Sequence, residues 1–539
     1  MFPLEIRTFV RYNRVEEGNK GLERAKKLIF HIDVNSAFLS WEAAYRIHHL
    51  GEHADLRREL SAVGGDTSKR RGIILAKSVP AKEYGVKTGQ TILEAKERCP
   101  GLLLVPPDYG LYERCSKAFL EILSRHTPDV EPYSIDEAYL DMTKVEGVRQ
   151  KPWKAAEAIR QEIREELGFT VNIGISENKL LAKMASDFRK PDRVHTLWKK
   201  EIPEKLWQLH VGRLFFVGPA TERKLLQLGI RTIGELAGSD RSLLKAHLKK
   251  HGELIWAFAN GMDVSVVQSD PPRQKGYGNS TTIAFDVTDA STARLAILGL
   301  AETVAGRLRA ASVRAEVLTV TVRYFDFRFA SRQGKLDNPT NITIELHRRA
   351  CRLFEQLWDG SSIRHLGIHT ERLWDSSPGR QLTLFDSTDY EKLERLDGAV
   401  DQIRRRYGSD AVRRASFLQK GLRLDHMAGG LPGEKKPADE GNFRRKQEEV
   451  ACSVWFTSTG KMMPQYLKYR TEEGILETIS GIRILSCEKK HYCGIPAAEY
   501  RCSALFRGEQ RLFRLYYYPE QGKWKLSWEG SGERTVSNE

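Results

Sequence analysis

Hydrophobic and polar positions along the chain predict short buried strands alternating with helices. Near the amino end, Leu28–Val34 ("LIFHIDV") is apolar on both faces, which is typical of a strand buried on both sides of a sheet. A helix is predicted to follow over Ser36–Tyr45. Val171–Ile175 predicts another short strand, with Ser176 as the N-cap of a helix over Glu177–Phe188. This order of elements predicts a mixed α/β fold.

One predicted strand carries acidic residues in an unusual place. The stretch "VEPYSIDEAYLDMT" has Asp136 and Glu137 side by side among strand-forming residues. Carboxylates are poor strand formers, and adjacent like charges repel. A solvated hairpin tip is the ordinary explanation of such a pair. Asp33 lies at the end of the first predicted strand. It is either the cap of the following helix or a catalytic group.

These acids and two later lysines together fit one chemical requirement. Two divalent ions about 3.5–4 Å apart need bridging carboxylates, and a triphosphate needs cations beside it. Asp33, Asp136 and Glu137 are candidates for the first task, and Lys183 and Lys190 for the second. Adjacent strand residues point to opposite faces, so both acids of the pair reach one site only at a hairpin tip or a bulge.

Three segments resemble the signature motifs of the Y-family, or translesion, DNA polymerases: "HIDVNSAFLSWE", "YSIDEAYLDMT" and "NIGISENKLLAKMASDFRKP". The resemblance extends over about Leu28–Leu424. It implies a multidomain α/β (α+β) fold of the right-hand type, with palm, fingers, helical thumb and little finger. It also implies DNA synthesis past damaged template bases by two-metal-ion nucleotidyl transfer. The implied cofactor is Mg²⁺, as two ions, and the implied partners are primer–template DNA and deoxynucleoside triphosphates.

The resemblance also assigns roles to individual residues around the first two motifs. Asp33, Asp136 and Glu137 become catalytic metal ligands, and Val34 contributes its backbone carbonyl. Phe38 takes the position of the steric gate beneath the incoming sugar.

The implied triphosphate contacts are Lys82, Lys183 and Lys190. The fingers segment departs from the family pattern in two places. Val79 stands where many relatives have a triphosphate-binding Tyr, and Lys82 stands where an Arg is common. A lysine neutralises phosphate as a point charge, without the bidentate fork of arginine. The departure therefore concerns triphosphate affinity rather than the reaction class.

The thumb and the little finger supply the predicted DNA contacts. Gly218 and Pro219 form a turn between two helical stretches, a helix-hairpin-helix pattern whose exposed amides suit a DNA phosphate. Two simply packed helices would give the same pattern. In the little finger, helices are predicted near Thr292–Ala311 and Thr340–Trp358. Arg323 is a candidate backbone contact there, as are three further arginines that sequence does not separate from ordinary surface residues: Arg314, Arg328 and Arg332.

Beyond the little finger, "QLTLF" resembles the sliding-clamp-binding motif of bacterial polymerases. Its anchors are Gln381, Leu382, Leu384 and Phe385, and a clamp is the implied partner. A covered apolar turn is the alternative.

The remaining carboxyl-terminal part predicts a small β-rich module that contacts DNA or a protein. Cys487, His491 and Cys493 in it suggest zinc only weakly, since their spacing is irregular.

The sequence predicts the following domains, numbered along the chain. These are an amino-terminal extension (1–27), palm and fingers (28–201, fingers about 50–105), thumb (202–270), little finger (276–375), clamp-binding segment and helical tail (376–424), flexible linker (425–449), and a carboxyl-terminal β-rich module of unknown role (450–530).

The composition of the chain agrees with a nucleic-acid enzyme, and it also bears on the partners and the location of the protein. The 539 residues carry a net charge of +15 at pH 7, which favours a polyanionic partner, although anionic lipid or solubility also explains an excess of this kind. No apolar run approaches the ~20 residues of a membrane helix, so no membrane partner is expected. Seven scattered cysteines do not form a disulfide framework, and a cytoplasmic location is expected. Two other function classes stay open, a non-catalytic scaffold with the polymerase fold and a two-metal nuclease.

Overall fold

The computed structural model describes residues 27–65, 72–270, 273–376, 389–408, 411–418, 447–470 and 474–529. They belong to two compact units. One contains the chain up to Val63, Ile74–Pro271 and Glu440–Glu539, and the other contains Gly64–Ile73 and Pro272–Asp439. None of the described helices is both long enough and apolar enough to cross a membrane.

The strands of the described residues are numbered in chain order. They are β1 (Ile29–Val34), β2 (Ser61–Gly64), β3 (Ile74–Lys77), β4 (Leu103–Val105), β5 (Val130–Pro132), β6 (Glu137–Asp141), β7 (Val171–Ser176), β8 (Val194–Thr196), β9 (Gly278–Val287), β10 (Val313–Tyr324), β11 (Phe329–Thr340), β12 (Ile363–Asp375), β13 (Glu448–Phe456), β14 (Met462–Arg470), β15 (Leu476–Ile479), β16 (Arg483–Lys490), β17 (Ala497–Phe506), β18 (Glu509–Tyr518) and β19 (Lys523–Trp528).

The α-helices are numbered in the same way. They are α1 (Ala37–Tyr45), α2 (Val79–Glu83), α3 (Ile92–Arg98), α4 (Tyr109–His126), α5 (Pro152–Leu167), α6 (Lys179–Ser186), α7 (Ile202–Lys205), α8 (Pro219–Gln227), α9 (Ile233–Ala237), α10 (Arg241–Leu248), α11 (Lys250–Ala259), α12 (Ala290–Ala310), α13 (Thr343–Glu355) and α14 (Tyr390–Tyr407).

The palm is a five-stranded sheet in the order β5-β6-β1-β7-β8. Strand β1 lies at its centre, pairs antiparallel with both β6 and β7, and is buried along its whole length, as its two apolar faces predict. Helices α1, α4 and α5 contribute to one continuous apolar core with this sheet. The end of β1 is therefore held on both sides by paired strands.

The predicted fingers segment folds as a separate small layer. Its strands form a three-stranded sheet in the order β3-β2-β4 with its own apolar core. Short helices α2 and α3 begin at side-chain caps, where Ser78 accepts from the Ala81 amide and Thr91 forms a capping box with Glu94.

The predicted thumb is entirely helical over α7–α11 and has a separate core. Gly218 is the N-cap of α8 and Pro219 is its first residue. The helical stretch that precedes this turn is short, since it consists of α7 and one 3₁₀ turn at Val211–Arg213.

The second unit contains a four-stranded antiparallel sheet in the order β11-β10-β12-β9. Helices α12 and α13 share an apolar core with it, within a few residues of their predicted positions. Helix α14 packs on α12 through Arg309, whose guanidinium lies 3.2 Å from Asp397 and 2.7 Å from Asp401. This α/β arrangement agrees with the prediction for the little finger.

Residues 447–529 form a seven-stranded antiparallel sheet in the order β15-β14-β13-β19-β18-β17-β16, here called the C-terminal module. This confirms the β-rich character that the sequence predicts, including the hairpin of β18 and β19. The described residues contain no cluster of three or more His, Cys, Asp or Glu side chains placed to hold a metal ion. Cys493 is buried whereas Cys487 is exposed, so the weak zinc alternative gains no support.

Candidate active site

Three acidic residues lie where β1 ends and β6 begins. Asp33 and Glu137 are directly opposed across the antiparallel pair, so their side chains project from the same face. Asp136 precedes the first residue of β6, at the tip of the hairpin from β5, and the Val34 amide donates to its carbonyl at 2.9 Å. The hairpin tip thus frees Asp136 from strand alternation, as the sequence requires for a shared site.

Burial and the charges of the other two acids shift the pKa of Asp136. Burial raises the pKa of its carboxyl, and the negative charges of Glu137 and Asp33 raise it further, while a hydrogen bond from Ser134 works in the opposite direction. Ser134 Oγ donates to Asp136 Oδ1 at 2.7 Å. A carboxyl group that burial and like charges disfavour in its ionised form is typical of a site that binds cations.

Helix α6 reaches this site because β7 has a glycine beneath it. Gly174 pairs with His31 of β1, and a Cβ at this position would lie 2.0 Å from the Ala182 carbonyl and 2.5 Å from the Ser186 amide. Only glycine permits so close an approach of the helix to the sheet. The helix then places Lys183 directly over the two opposed acids.

The predicted cap of this helix is wrong by two residues. Ser176 is the last residue of β7, and its hydroxyl donates to the Leu197 carbonyl. The N-cap is Asn178, whose side chain accepts from the Leu181 amide at 2.8 Å, so the helix begins at Lys179. The strand is longer than predicted because Ser176 Oγ has a partner inside the sheet.

The two predicted lysines both contact the acids. Lys183 Nζ lies 2.7 Å from Glu137 and 3.4 Å from Asp33, and its side chain is buried. Lys190 Nζ lies 2.7 Å from Asp33 and is partly exposed. Asp187 contacts both ammonium groups, at 3.7 and 2.8 Å.

The acids keep both lysines charged. Burial lowers the pKa of Lys183, but the negative charges of Asp33, Glu137 and Asp187 raise it more, so its pKa lies above the ordinary value. The pKa of Lys190 is likewise raised by Asp33 and Asp187 against the effect of burial. Two permanent positive charges therefore neutralise much of the acidic cluster.

Sequence reasoning missed His31, which is fully buried between the acids and α6. Its Nδ1 lies 2.8 Å from Ser186 Oγ, and its Nε2 lies 3.5 Å from Glu137. Burial and the positive charge of Lys183 hold its pKa well below the ordinary range, so the ring is neutral. The signal was available, because His31 lies two residues before Asp33 and so shares its face of the strand.

Phe38 lies on α1, five residues after Asp33 along the chain. Its ring stacks on Tyr112 of α4, with centroids 4.5 Å apart and planes at 8°. The Tyr112 hydroxyl donates to Glu42 at 2.9 Å, which ties the two helices together behind the ring. Burial raises the pKa of Glu42 to about 7. Phe38 is therefore held in one orientation rather than exposed on a mobile surface.

Other predicted residues lie elsewhere in the described structure. Lys82 and Val79 are on α2, where Val79 is 51% exposed, and within the described residues no ion pair joins Lys82 to the acids. Gly218 and Pro219 start α8 of the thumb. Arg323 is exposed on β10 of the second unit.

Three of the four candidate arginines have protein partners. Arg314 lies 3.1 Å from Glu394, Arg328 contacts Asp326 at 2.6 Å, and Arg332 donates to Gln356 at 2.9 Å. The four predicted clamp anchors, Gln381, Leu382, Leu384 and Phe385, lie outside the described residues.

The donor set at the site suits a hard divalent cation. Asp33, Asp136 and Glu137 provide only oxygen atoms, and Val34 adds a carbonyl at the same end of β1. In their present positions the carboxylates of Asp33 and Glu137 face ammonium groups, and they do not converge on one point with a third ligand among the described residues.

Comparison with known proteins gives consistent results. The model of the impB/mucB/samB family matches residues 32–187, and that of the impB/mucB/samB family C-terminal domain matches residues 274–384. DNA polymerase IV of Clostridium acetobutylicum is 42% identical over 395 residues, which are 73% of this chain and 99% of that protein. DNA polymerase IV 1 of Bacillus subtilis is 36% identical over 398 residues, 73% of this chain and 94% of that protein.

Among solved structures, a Y-family DNA polymerase chimera shares the fold. Its TM-score is 0.56 at 23% sequence identity, and the match covers 65% of this chain and 99% of the chimera. The predicted right-hand fold class is thereby confirmed.

Proposed function

Because the chain belongs to the impB/mucB/samB family, that of the Y-family DNA polymerases, we infer that it is a DNA-directed DNA polymerase that copies past damaged template bases. The observation that carries the proposal is the meeting of Asp33, Asp136 and Glu137 at one end of the palm sheet, beneath Lys183 and Lys190. A non-catalytic scaffold has no need of three acids in one place. A nuclease has no need of the aromatic ring of Phe38, which is held on the helix that follows Asp33.

The three acids and the Val34 carbonyl would hold two Mg²⁺ ions. When bound, Mg²⁺ supplies positive charge against the triphosphate and the attacking primer hydroxyl. The lysine contacts support this assignment, because they show that the acidic cluster attracts positive charge.

The two lysines have different tasks in this proposal. Lys183 is buried against Asp33 and Glu137, so it orients these carboxylates and balances their charge. Lys190 is more exposed and binds Asp33 from the outer side, so it is the better placed of the two to contact a triphosphate. Lys82 of the fingers adds a third positive charge for the nucleotide.

Substrate and partner assignments follow from the same family. Primer–template DNA binds through phosphates at the thumb turn of Gly218 and Pro219 and at the little finger, where Arg323 is exposed. Phe38 excludes the 2′-hydroxyl of ribonucleotides. The segment with Leu384 and Phe385 recruits a sliding clamp in the bacterial cytoplasm.

A primer-extension assay tests the proposal directly. The purified protein is given primer–template DNA with and without a damaged template base, together with Mg²⁺ and deoxynucleotides. Extension on both templates supports the polymerase assignment. Shortening of the primer would identify a nuclease, and an unchanged primer would identify a scaffold.

A further inference from the structure

The C-terminal module is built into the palm. Its turn at Tyr492–Gly494 enters the palm core, where Cys493 is 0% exposed and packs in the same apolar cluster as β1, α4 and α5. The segments matched by the family models, 32–187 and 274–384, both end before this module. A part of the palm core is therefore supplied by residues beyond both matched segments.

The turn at Tyr492–Gly494 packs closely against α4. Gly494 has φ +71°, and a Cβ there would lie 2.8 Å from the Ala118 Cβ and 3.2 Å from the Arg114 carbonyl. Cys493 also has a positive φ, of 55°. Left-handed backbone at a non-glycine residue is uncommon, and it persists where surrounding contacts determine it.

Thiol contacts join the turn to both helices beneath it. The Cys493 thiol donates to the Trp41 carbonyl of α1 at 3.9 Å, and the Cys115 thiol of α4 donates to the Cys493 carbonyl at 3.8 Å. Sulfur hydrogen bonds at these distances are weak individually. Together with the buried packing they fix the spacing of α1 and α4 where both helices meet the turn.

The end of α1 is anchored a second time. The helix continues into a π-helical turn at Arg46–Leu50, and the last carbonyls of a helix have no partner inside it. Gln447 donates to the His48 carbonyl at 3.3 Å, and Lys525 donates to the His49 carbonyl at 3.0 Å. Donors from the C-terminal module thus complete the helix end.

The imidazole of His49 adds two further bonds to the module. Its Nε2 donates to the Tyr492 carbonyl at 2.8 Å, so its Nδ1 accepts from the Tyr518 hydroxyl at 3.3 Å in the neutral ring. Burial lowers the pKa of His49 to about 4, which agrees with a neutral ring. The neighbouring His48 ring stacks on Tyr492 with centroids 3.6 Å apart.

The contacts of Trp41 and Cys115 with the turn lie one helical turn from the proposed sugar gate. Trp41 and Phe38 are one helical turn apart on α1, as Cys115 and Tyr112 are on α4. Phe38 and Tyr112 form a stacked pair on the same two helices, one turn from the turn at Cys493. A shift of either helix where it meets that turn therefore changes the stack one turn away.

We propose that the C-terminal module is a positioning element for nucleotide selection, which sets the place of Phe38 by holding α1 against α4 through the turn at Cys493 and Gly494. The proposal rests on the polymerase function and on Phe38 as its gate. It gives the module a task in the reaction that is separate from any contact with DNA.

The ratio of ribonucleotide to deoxyribonucleotide incorporation tests this role. The ratio is measured on one enzyme sample, so it does not depend on how much of the sample is folded. A purely structural role would lower activity or melting temperature and leave the ratio unchanged.

Gly494→Ala is the test variant and Gly522→Ala is its matched control. Both glycines have positive φ, +71° and +63°, so both variants carry the same backbone penalty, but only Gly494 meets the palm. We expect Gly494→Ala to raise the ratio at least threefold and to raise KM for the deoxynucleotide, and Gly522→Ala to match wild type. Adding Ala118→Gly to Gly494→Ala removes the Cβ contact and should lower the ratio again.

An unchanged ratio in Gly494→Ala would overturn the proposal, whatever happens to its stability. If that variant gives no soluble enzyme, Lys525→Met takes its place, because it removes the donor to the His49 carbonyl together with the ammonium group over the ring of Tyr518, a residue that itself contacts His49. A rise of about twofold in its ratio is then expected, and no change would again overturn the proposal. The wild-type protein distinguishes failure of this proposal from failure of the polymerase function. A wild type that fails to extend any primer contradicts the polymerase function itself.

Discussion

Lys183 Nζ and the Glu137 carboxylate are in contact at 2.7 Å inside the palm, 46 residues apart along the chain. The contact joins α6 to β6 across β1, and it exists because Gly174 lets the helix lie against the sheet. An acidic pair whose ordinary explanation is a solvated hairpin tip therefore belongs to a partly buried site in which Lys183 balances the charge of Glu137.

Asp136→Asn should abolish Mg²⁺-dependent primer extension and leave primer–template binding largely intact. Loss of one metal ligand removes charge needed for phosphoryl transfer, a rate loss on the order of 10³ or more. Single-turnover extension and DNA-binding anisotropy measure the two properties. Asp141→Asn is the control at the far end of β6, since Asp141 accepts from the Thr143 amide away from the site. Near-normal extension by Asp136→Asn would exclude this residue as a ligand.

Lys183→Met should destabilise the palm far more in EDTA than in Mg²⁺. The substitution leaves Asp33 and Glu137 buried without their shared cation, which costs about 3–5 kcal/mol for a buried pair. Bound Mg²⁺ restores the missing positive charge. Urea unfolding of wild type and variant, each with EDTA and with Mg²⁺, measures the difference. Equal destabilisation under both conditions would mean that metal and lysine do not share these carboxylates.

Phe38→Ala should relax sugar selection without stopping DNA synthesis. An apolar pocket rejects an added hydroxyl by only ~10², so stronger exclusion needs a direct clash with the ring. We expect the ribonucleotide-to-deoxyribonucleotide ratio to rise at least about tenfold, which corresponds to ~1.4 kcal/mol. Single-nucleotide incorporation with matched ribo- and deoxyribonucleotides gives the ratio. If it stays constant, another residue is the gate.

Glu42→Gln should flatten the pH dependence of stability. The pKa of Glu42 is raised from 4.5 to about 7 in the folded state, so the folded protein binds this proton more tightly than the unfolded chain. The stability it contributes is complete below pH 4.5 and is lost as pH rises to about 7, at most about 3 kcal/mol. Glutamine cannot ionise, so the variant loses less stability between pH 5 and pH 8.

Urea unfolding at the two pH values measures the Glu42 effect. Glu97→Gln on the exposed side of α3 is the control and should behave as wild type. A Glu42→Gln protein with the same loss of stability as wild type would show that Glu42 does not titrate in this range.

Changing Leu384 and Phe385 to Ala should abolish stimulation by a sliding clamp and spare clamp-independent extension. This prediction rests on the sequence, because both residues lie outside the described structure. The two anchors provide most of the apolar burial of the segment, about 1.5–3 kcal/mol each. A pull-down with the clamp and extension assays with and without it measure both effects. Unchanged clamp binding would identify "QLTLF" as a packed turn.

Sequence pointed to the acids and lysines that the structure brings together, because each stands next to a strong local pattern. Asp33 is the last residue but one of a doubly apolar strand, and Asp136 and Glu137 stand where another strand begins. The sequence predicts the wrong N-cap for α6 because Ser176 and Asn178 are equally good caps by residue type. The hydrogen bond from the Ser176 hydroxyl to the Leu197 carbonyl leaves Asn178 as the cap.

Long-range contacts were beyond prediction. Lys179 and Lys183 lie one turn apart on α6, yet Lys183 contacts Asp33 and Glu137 whereas Lys179 contacts Glu131 at 2.7 Å and the Tyr139 ring. Neither partner is signalled by spacing along the helix. The packing of Cys493 in the palm core is the extreme case, because no periodic pattern links a turn to helices several hundred residues earlier.

The buried position of Cys493 also sets an order of events during synthesis. Trp41 and Cys493 are 452 residues apart, so a ribosome adding ~5–20 residues per second makes them roughly 20–90 seconds apart. Until Cys493 has been made, the apolar core of the palm lacks the turn at Tyr492–Gly494 that packs in it. A message that ends early, even after every residue of the catalytic motifs has been translated, therefore yields a polypeptide with exposed apolar surface, which chaperones and proteases recognise. The apolar core of the palm is therefore complete only after the C-terminal module has been translated.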